Sequence, residues 1–207
     1  MSNSALAFPG LFLLVAACGA SAAAPVATPT APTSAAVLPV QPTPGLMKGM
    51  AKLAFMRGVW AGPASGSTPD GGRFAVTQTE RMGPMLGGDI IVIEGRGYNA
   101  DGTTGFNALA VVSWDPQADR YELRSYAQGR AGTFELRLTA DGYVWEIPAG
   151  PGAVVRFTAT VTKDRWREVG EYLAAGKPPR QTFEMNLERV GDTDWPLGTP
   201  VAPSVAR

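Results

Sequence analysis

Between residues 106 and 138 apolar and polar positions alternate through three runs, FNALAVVSW, DRYELRSYAQ and TFELRLT, with a short turn after each of the first two. In Thr133-Phe134-Glu135-Leu136-Arg137-Leu138-Thr139 the alternation is strict. That is the period of a strand with one face buried, because successive side chains point to opposite sides. Asp115-Pro116-Gln117-Ala118 and Gly129-Arg130-Ala131-Gly132 supply turn residues, and Asp141-Gly142 offers the positive φ of a tight hairpin. Connections this short join only antiparallel neighbours.

The same pattern extends both ways. Gly58-Val59-Trp60, within 57–62, opens the series. Further strands are predicted at 73–82, 89–98, 106–114, 120–128, 133–139, 143–147, 153–161, 165–173 and 181–189. Ten strands at this spacing indicate an all-β barrel or sandwich. A ten-strand meander leaves two bare edges unless it closes, which favours a closed up-and-down antiparallel barrel. Leu46, Met47, Met50, Leu53 and Ala54 recur at helical spacing and predict a short helix packed over one end. Residues 62–72, rich in Gly, Ser and Pro, read as a mobile loop, and the chain from Asp192 onward as a loose tail.

Charge sets the domain limits. Residues 1–47 contain no Asp, Glu, Lys or Arg, so all 36 charged residues (18 basic, 18 acidic) fall in the remaining 160. That is about 22%, an ordinary globular share. The chain thus divides into residues 1–18, a signal; 19–45, a Pro/Ala/Thr-rich spacer; 46–192, the barrel; and 193–207, the tail. Net charge is zero with no basic block, which excludes a nucleic-acid partner. There is no His, and Cys18 is the single cysteine. The usual general base, the commonest metal ligand and any disulfide are therefore missing, and no metal or cofactor is expected.

Residues 11–17 form an apolar run too short to span a bilayer but suited to the core of an export signal. Val15-Ala16-Ala17-Cys18 resembles the lipobox of bacterial lipoproteins. That resemblance implies acylation of Cys18, a membrane anchor, and a place at the periplasmic face of the outer membrane. An ordinary secretory cut near Ala20-Ser21-Ala22 is the alternative. The spacer would reach roughly 30 Å as a coil and about 80 Å if extended.

Gly58-Val59-Trp60 and Arg189 together resemble the Gly-x-Trp and closing arginine of the lipocalin-like barrels, the calycins. Trp114-Asp115, Tyr121-x-Leu123-Arg124-Ser125-Tyr126, Trp166-x-Glu168-x-Gly170-Glu171-Tyr172 and Phe183-Glu184-Met185 extend the likeness to a bacterial family of secreted barrels catalogued as a domain of unknown function. The resemblance implies a barrel sealed where Arg189 crosses Trp60, and no established activity. A more distant resemblance is to ten-stranded haem barrels of the nitrobindin type, whose axial histidine this chain lacks.

Alternation also proposes a lining. Phe134, Leu136 and Leu138, then Phe157, Ala159 and Val161, then Phe183, Met185 and Leu187 face inward. By the same parity Phe74 and Val76 carry Gln78 and Glu80 inward, and Trp166 carries Glu168 and Tyr172. On 89–98 either Val92, Glu94 and Arg96 or Ile91, Ile93, Gly95 and Gly97 could face in. Arg124 and Tyr126 lie opposite Leu123. The candidate ligand-binding set is Gln78, Glu80, Glu94, Arg96, Arg124, Tyr126, Glu168 and Tyr172, with a solvated outer face as the competing placement. The expected function is binding of a small, hydrophobic or amphipathic molecule in the lumen. The alternatives are an envelope scaffold and an acid–base enzyme using paired carboxylates such as Glu80 with Glu94 or Glu168. No nucleophile or metal motif supports catalysis.

Overall fold

A computed structural model of the chain describes residues 44–68 and 70–195. Ten strands follow one another: β1 Gly58–Ser67, β2 Arg73–Met85, β3 Ile90–Tyr98, β4 Thr104–Asp115, β5 Arg120–Ala127, β6 Arg130–Leu138, β7 Gly142–Pro148, β8 Ala153–Val161, β9 Arg165–Ala174 and β10 Arg180–Gly191. Each pairs antiparallel with the next, and β1 pairs with β10, closing the barrel. No edge is left to recruit another strand.

One end is plugged. Helix α1, Pro44–Ala51, and a following single turn at Ala54–Met56 lead into β1. Met50, Leu53 and Met56 are essentially unexposed, beside Trp60, Met82, Ile91 and Val112. Trp60 Nε1 donates to the Met56 carbonyl at 3.2 Å, and the Tyr121 hydroxyl donates to the Gly49 carbonyl at 2.6 Å. Gly49 has no substitute there: a Cβ would stand 2.4 Å from the Trp114 ring. Buried Tyr and Trp heads are thus satisfied by the backbone of the plug, which fixes its seat.

Closure repeats the local chemistry of Gly58-Val59-Trp60. Trp60 lies opposite Arg189 in the β1–β10 ladder, and the guanidinium carbon sits 5.9 Å from the indole centroid. Gly58 adopts φ 142°, and a Cβ on it would come within 3.1 Å of the Arg189 guanidinium. The glycine is what lets the arginine cross the indole.

Two sequence expectations change. Residues 62–67, read as the start of a mobile loop, continue β1 and pair with both β2 and β10. Their composition answers a close approach. A Cβ on Gly62 would lie 2.2 Å from the Asn186 carbonyl oxygen, and one on Gly66 2.5 Å from that of Thr182. Pro63 keeps its place opposite Thr77, at a point where the seam with β10 shows no ladder pair and its missing N–H costs nothing. The first residues of the tail also return onto β2: Asp194 pairs with Arg81 at 3.5 Å, and the Arg81 guanidinium lies 5.8 Å from the Trp195 ring. Residues 1–43, with Cys18 and nearly all of the spacer, and residues 196–207 lie outside the described residues.

Candidate functional site

Ladder register settles which face of each strand lines the lumen. Glu80 lies opposite Gly95, and Gly97 opposite Gln78. Ile91 is buried, so β3 turns Ile91, Ile93, Gly95 and Gly97 inward. The paired glycines have a steric cause. A Cβ on Gly95 would meet the Glu80 carboxylate at 2.7 Å, and one on Gly97 would meet Gln78 Oε1 at 3.1 Å. The β3 wall is thinned where two polar side chains of β2 lie against it.

Gln78 and Glu168 are 4% and 7% exposed, the two buried residues with amide or charged side chains among the described residues. Gln78 Nε2 donates to Glu80 Oε1 at 2.7 Å. Glu80 keeps slight exposure as a residue, yet its carboxyl is enclosed. Loss of water pushes its pKa from an ordinary 4.5 up to about 8, opposed by the Gln78 hydrogen bond and aided by the negative charge of Glu168. Glu168 accepts a hydrogen bond from the Tyr143 hydroxyl at 2.7 Å. Burial raises its pKa too, while Tyr143 and the nearby Trp145 and Trp166 draw it down. Burial, and then the Glu168 charge, drive the Tyr143 phenol well above its usual range. Trp166 Nε1 is buried and meets no acceptor at full hydrogen-bond geometry, although it lies near enough to Glu168 to act on it. Among the described residues no ion pair includes Glu80 or Glu168; every one lies on the outer wall or the rims. The lumen therefore holds two carboxyls with no cation beside them, a state that favours the protonated form.

Toward the mouth, a ladder row runs Trp145, Phe157, Gly170, Phe183, Gly66, Phe74. Trp145 stacks on Phe157 at 4.5 Å, and Phe157 meets Phe183 edge-on at 5.9 Å. Phe134 joins Trp145 at 5.5 Å. The rings press on glycine backbone: Phe157 and Phe183 on Gly170, Phe134 on Gly132, Phe74 on Gly66. They hug the wall and keep partial exposure, 37% for Phe74. Tyr172 stands at the rim, with the Arg180 guanidinium 5.5 Å from its ring.

Four of the eight sequence candidates thus line the lumen: Gln78, Glu80, Glu168 and Tyr172. The other four do not. Glu94 and Arg96 pair with each other at 2.5 Å on the outer wall. Arg124 pairs outside with Glu122 at 3.5 Å, and Tyr126 is 53% exposed. Their strands turn the apolar or glycine parity inward, and ionic side chains without a lumen partner gain more from water. Glu94, Arg96 and Tyr126 still meet, in an outer cleft of about 470 Å³ with Asn107, Leu109 and Arg130. A second outer cleft, about 390 Å³, lies beside α1 among Met47, Met50, Arg57 and Met85. Sequence reasoning missed Tyr143 and Trp145. The signal was the odd parity of 143–147, legible once Ala159 and Phe157 are known to face inward opposite them. Among the described residues no three His, Cys, Asp or Glu side chains converge as metal ligands.

Fold and lining define a class: a closed ten-stranded antiparallel barrel, plugged at one end, with enclosed carboxyls beneath an aromatic collar. No protein-family model matches the chain, and no curated protein matches it. A solved structure does share the fold. The crystal structure of Rv2717c from M. tuberculosis superposes with a TM-score of 0.52 at 16% identity, over 68% of this chain and 96% of that one.

Proposed function

We propose that the barrel binds a small, largely apolar molecule in its lumen, entering at the aromatic mouth. The supporting observation is the collar of Phe74, Phe134, Trp145, Phe157 and Phe183, inward-facing yet partly exposed, above the enclosed Gln78, Glu80 and Glu168. A few converging polar groups under apolar walls orient a ligand, while the walls supply affinity. Native mass spectrometry of protein from its own host tests this. The expected result is a bound mass released on denaturation. Protein that is bare in every preparation, and that takes up no aromatic probe, would overturn it.

The family reading belongs to the same proposal: a lipocalin-like secreted barrel, supported by the Gly58-x-Trp60 and Arg189 contact. So does location. Residues 11–18 support export and acylation at Cys18, placing the domain in the cell envelope or releasing it as a secreted protein. Metabolic labelling with palmitate, lost in Cys18→Ser, is the expected outcome for the anchored form.

A second reading is acid–base catalysis by the Glu80 and Glu168 pair. It is favoured by two enclosed carboxyls, one of which, Glu80, feels the charge of Glu168 and is shifted to about 8, since such chemistry needs groups with separated pKa values near one atom. Turnover abolished by both Glu80→Gln and Glu168→Gln would distinguish it from simple binding.

A further inference from the structure

We infer that the inner end of the lumen takes a neutral polar head that both donates and accepts hydrogen bonds, a hydroxyl or a carboxamide, and rejects a carboxylate. The inference rests on the lumen-binding reading and adds the chemistry of the ligand's buried end.

Two independent observations carry it. The first is that among the described residues no cation pairs with Glu80 or Glu168: the groups acting on them are Gln78, Tyr143, Trp145 and Trp166, with only the further negative charge of Glu94. An anionic head would bring a third acidic group into an enclosed space with nothing to neutralise it, and like charges close together cannot all ionise. The second is Trp166. The residue is 3% exposed, and its N–H meets no acceptor at full hydrogen-bond geometry while lying near enough to Glu168 to act on it. A buried donor without an acceptor is costly, so a ligand atom that accepts there gains what the apo-protein lacks. An ammonium cannot accept, which leaves the indole N–H unsatisfied. A hydroxyl or amide accepts from Trp166 and donates to the carboxyl oxygens. The glycine-thinned β3 wall opposite Gln78 and Glu80 lets their side chains lie back against the backbone. Above this point Trp145 and Phe157 lie in the row two residues closer to the mouth, so a flat apolar body continues from the head into the collar. At the opening the Arg180 guanidinium lies over the Tyr172 ring, and it would serve the outer end of a ligand, not the inner one.

The test uses the full chain and four probes sharing one ring system: 2-naphthaleneethanol, 2-naphthaleneacetamide, 2-naphthaleneacetate and 2-naphthaleneethylamine, with naphthalene as the headless control. Binding is followed by calorimetry near neutral pH. The expected order has the alcohol and the amide at least about tenfold tighter than the acetate and tighter than the amine. Trp166→Phe keeps a smaller aromatic ring facing Trp60, which the indole meets edge-on at 6.0 Å, and removes the N–H. It should weaken the alcohol and amide several-fold and leave naphthalene unchanged. Acetate binding as tightly as the alcohol, or the amine binding tightest, overturns the inference and leaves lumen binding intact. Failure of all five compounds, naphthalene included, defeats the lumen reading itself. The probe series on the unaltered protein decides the matter even if the Trp166 variant folds poorly.

Discussion

Replacing Glu80 with Gln should stabilise the barrel above neutral pH and do little below about pH 5. In the folded protein this carboxyl holds its proton up to about 8, against an ordinary 4.5. Between those values the folded chain binds more protons than the unfolded chain. Unfolding free energy therefore falls as pH rises through the window, and the loss is complete above the folded value. Each pKa unit is worth about 1.4 kcal/mol, so ionising Glu80 in place costs on the order of 5 kcal/mol, a large share of the ~5–15 kcal/mol a domain has. Glu168 shifts in the same direction and keeps part of the slope in the single variant. Tyr143 titrates above the window. Asp101, Asp115 and Glu184 are held below their ordinary values by hydrogen bonds, so their contribution is lost only as pH falls below about 4. Gln at position 80 still accepts from Gln78 and carries no charge. Urea unfolding followed by tryptophan fluorescence from about pH 5 to about pH 9 reads the difference. Wild type should lose several kcal/mol across that range, and Glu80→Gln much less, with the two within about 1 kcal/mol at the acid end. A flat wild-type profile, or an identical slope in the variant, would refute the enclosure of Glu80.

Three further outcomes follow from geometry. Tyr143→Phe removes the donor 2.7 Å from Glu168 and should cost about 1–3 kcal/mol, more at high pH than at low, as the same urea titrations will show. Gly62→Ala places a methyl 2.2 Å from the Asn186 carbonyl oxygen. Backbone must move, so the β1–β10 seam should loosen by about 1–3 kcal/mol or more, with faster amide exchange in β10 but not in β5. Trp60→Ala empties an unexposed site against the plug and should lower stability by ~3–5 kcal/mol, whereas Arg189→Gln, losing the contact over the ring and an exposed ion pair with Asp192, should cost ~0.5–2 kcal/mol.

The strands were legible because alternation over seven or more residues, broken by Gly, Pro and Asp, leaves few other structures open. Hence the ten strands, the antiparallel order and the inward rows of β6, β8 and β10 could be read from residues alone. So could the partnership of Trp60 with Arg189, through its resemblance to known barrels. Residues 62–67 could not. Gly62 and Gly66 look like a loop until β10 is known to lie against them. Nor could the orientation of β3, where both parities begin with branched apolar residues, one continuing to Glu94 and Arg96 and the other to Gly95 and Gly97.

What the chain alone determined is the meander and its closure, because periodicity and turn chemistry are local. What tertiary structure decided is the sense of each ambiguous strand. A strand's two faces are equivalent until a neighbour's register selects one, and a single selection moves every side chain on it. Glu80 opposite Gly95 turned Glu94 and Arg96 out to water. Tyr143 opposite Ala159, itself opposite Glu168, brought a phenol from 25 residues away onto that carboxylate. Parity along single strands pointed Gln78, Glu80 and Glu168 inward, but only the sum of the registers joined them and added Tyr143.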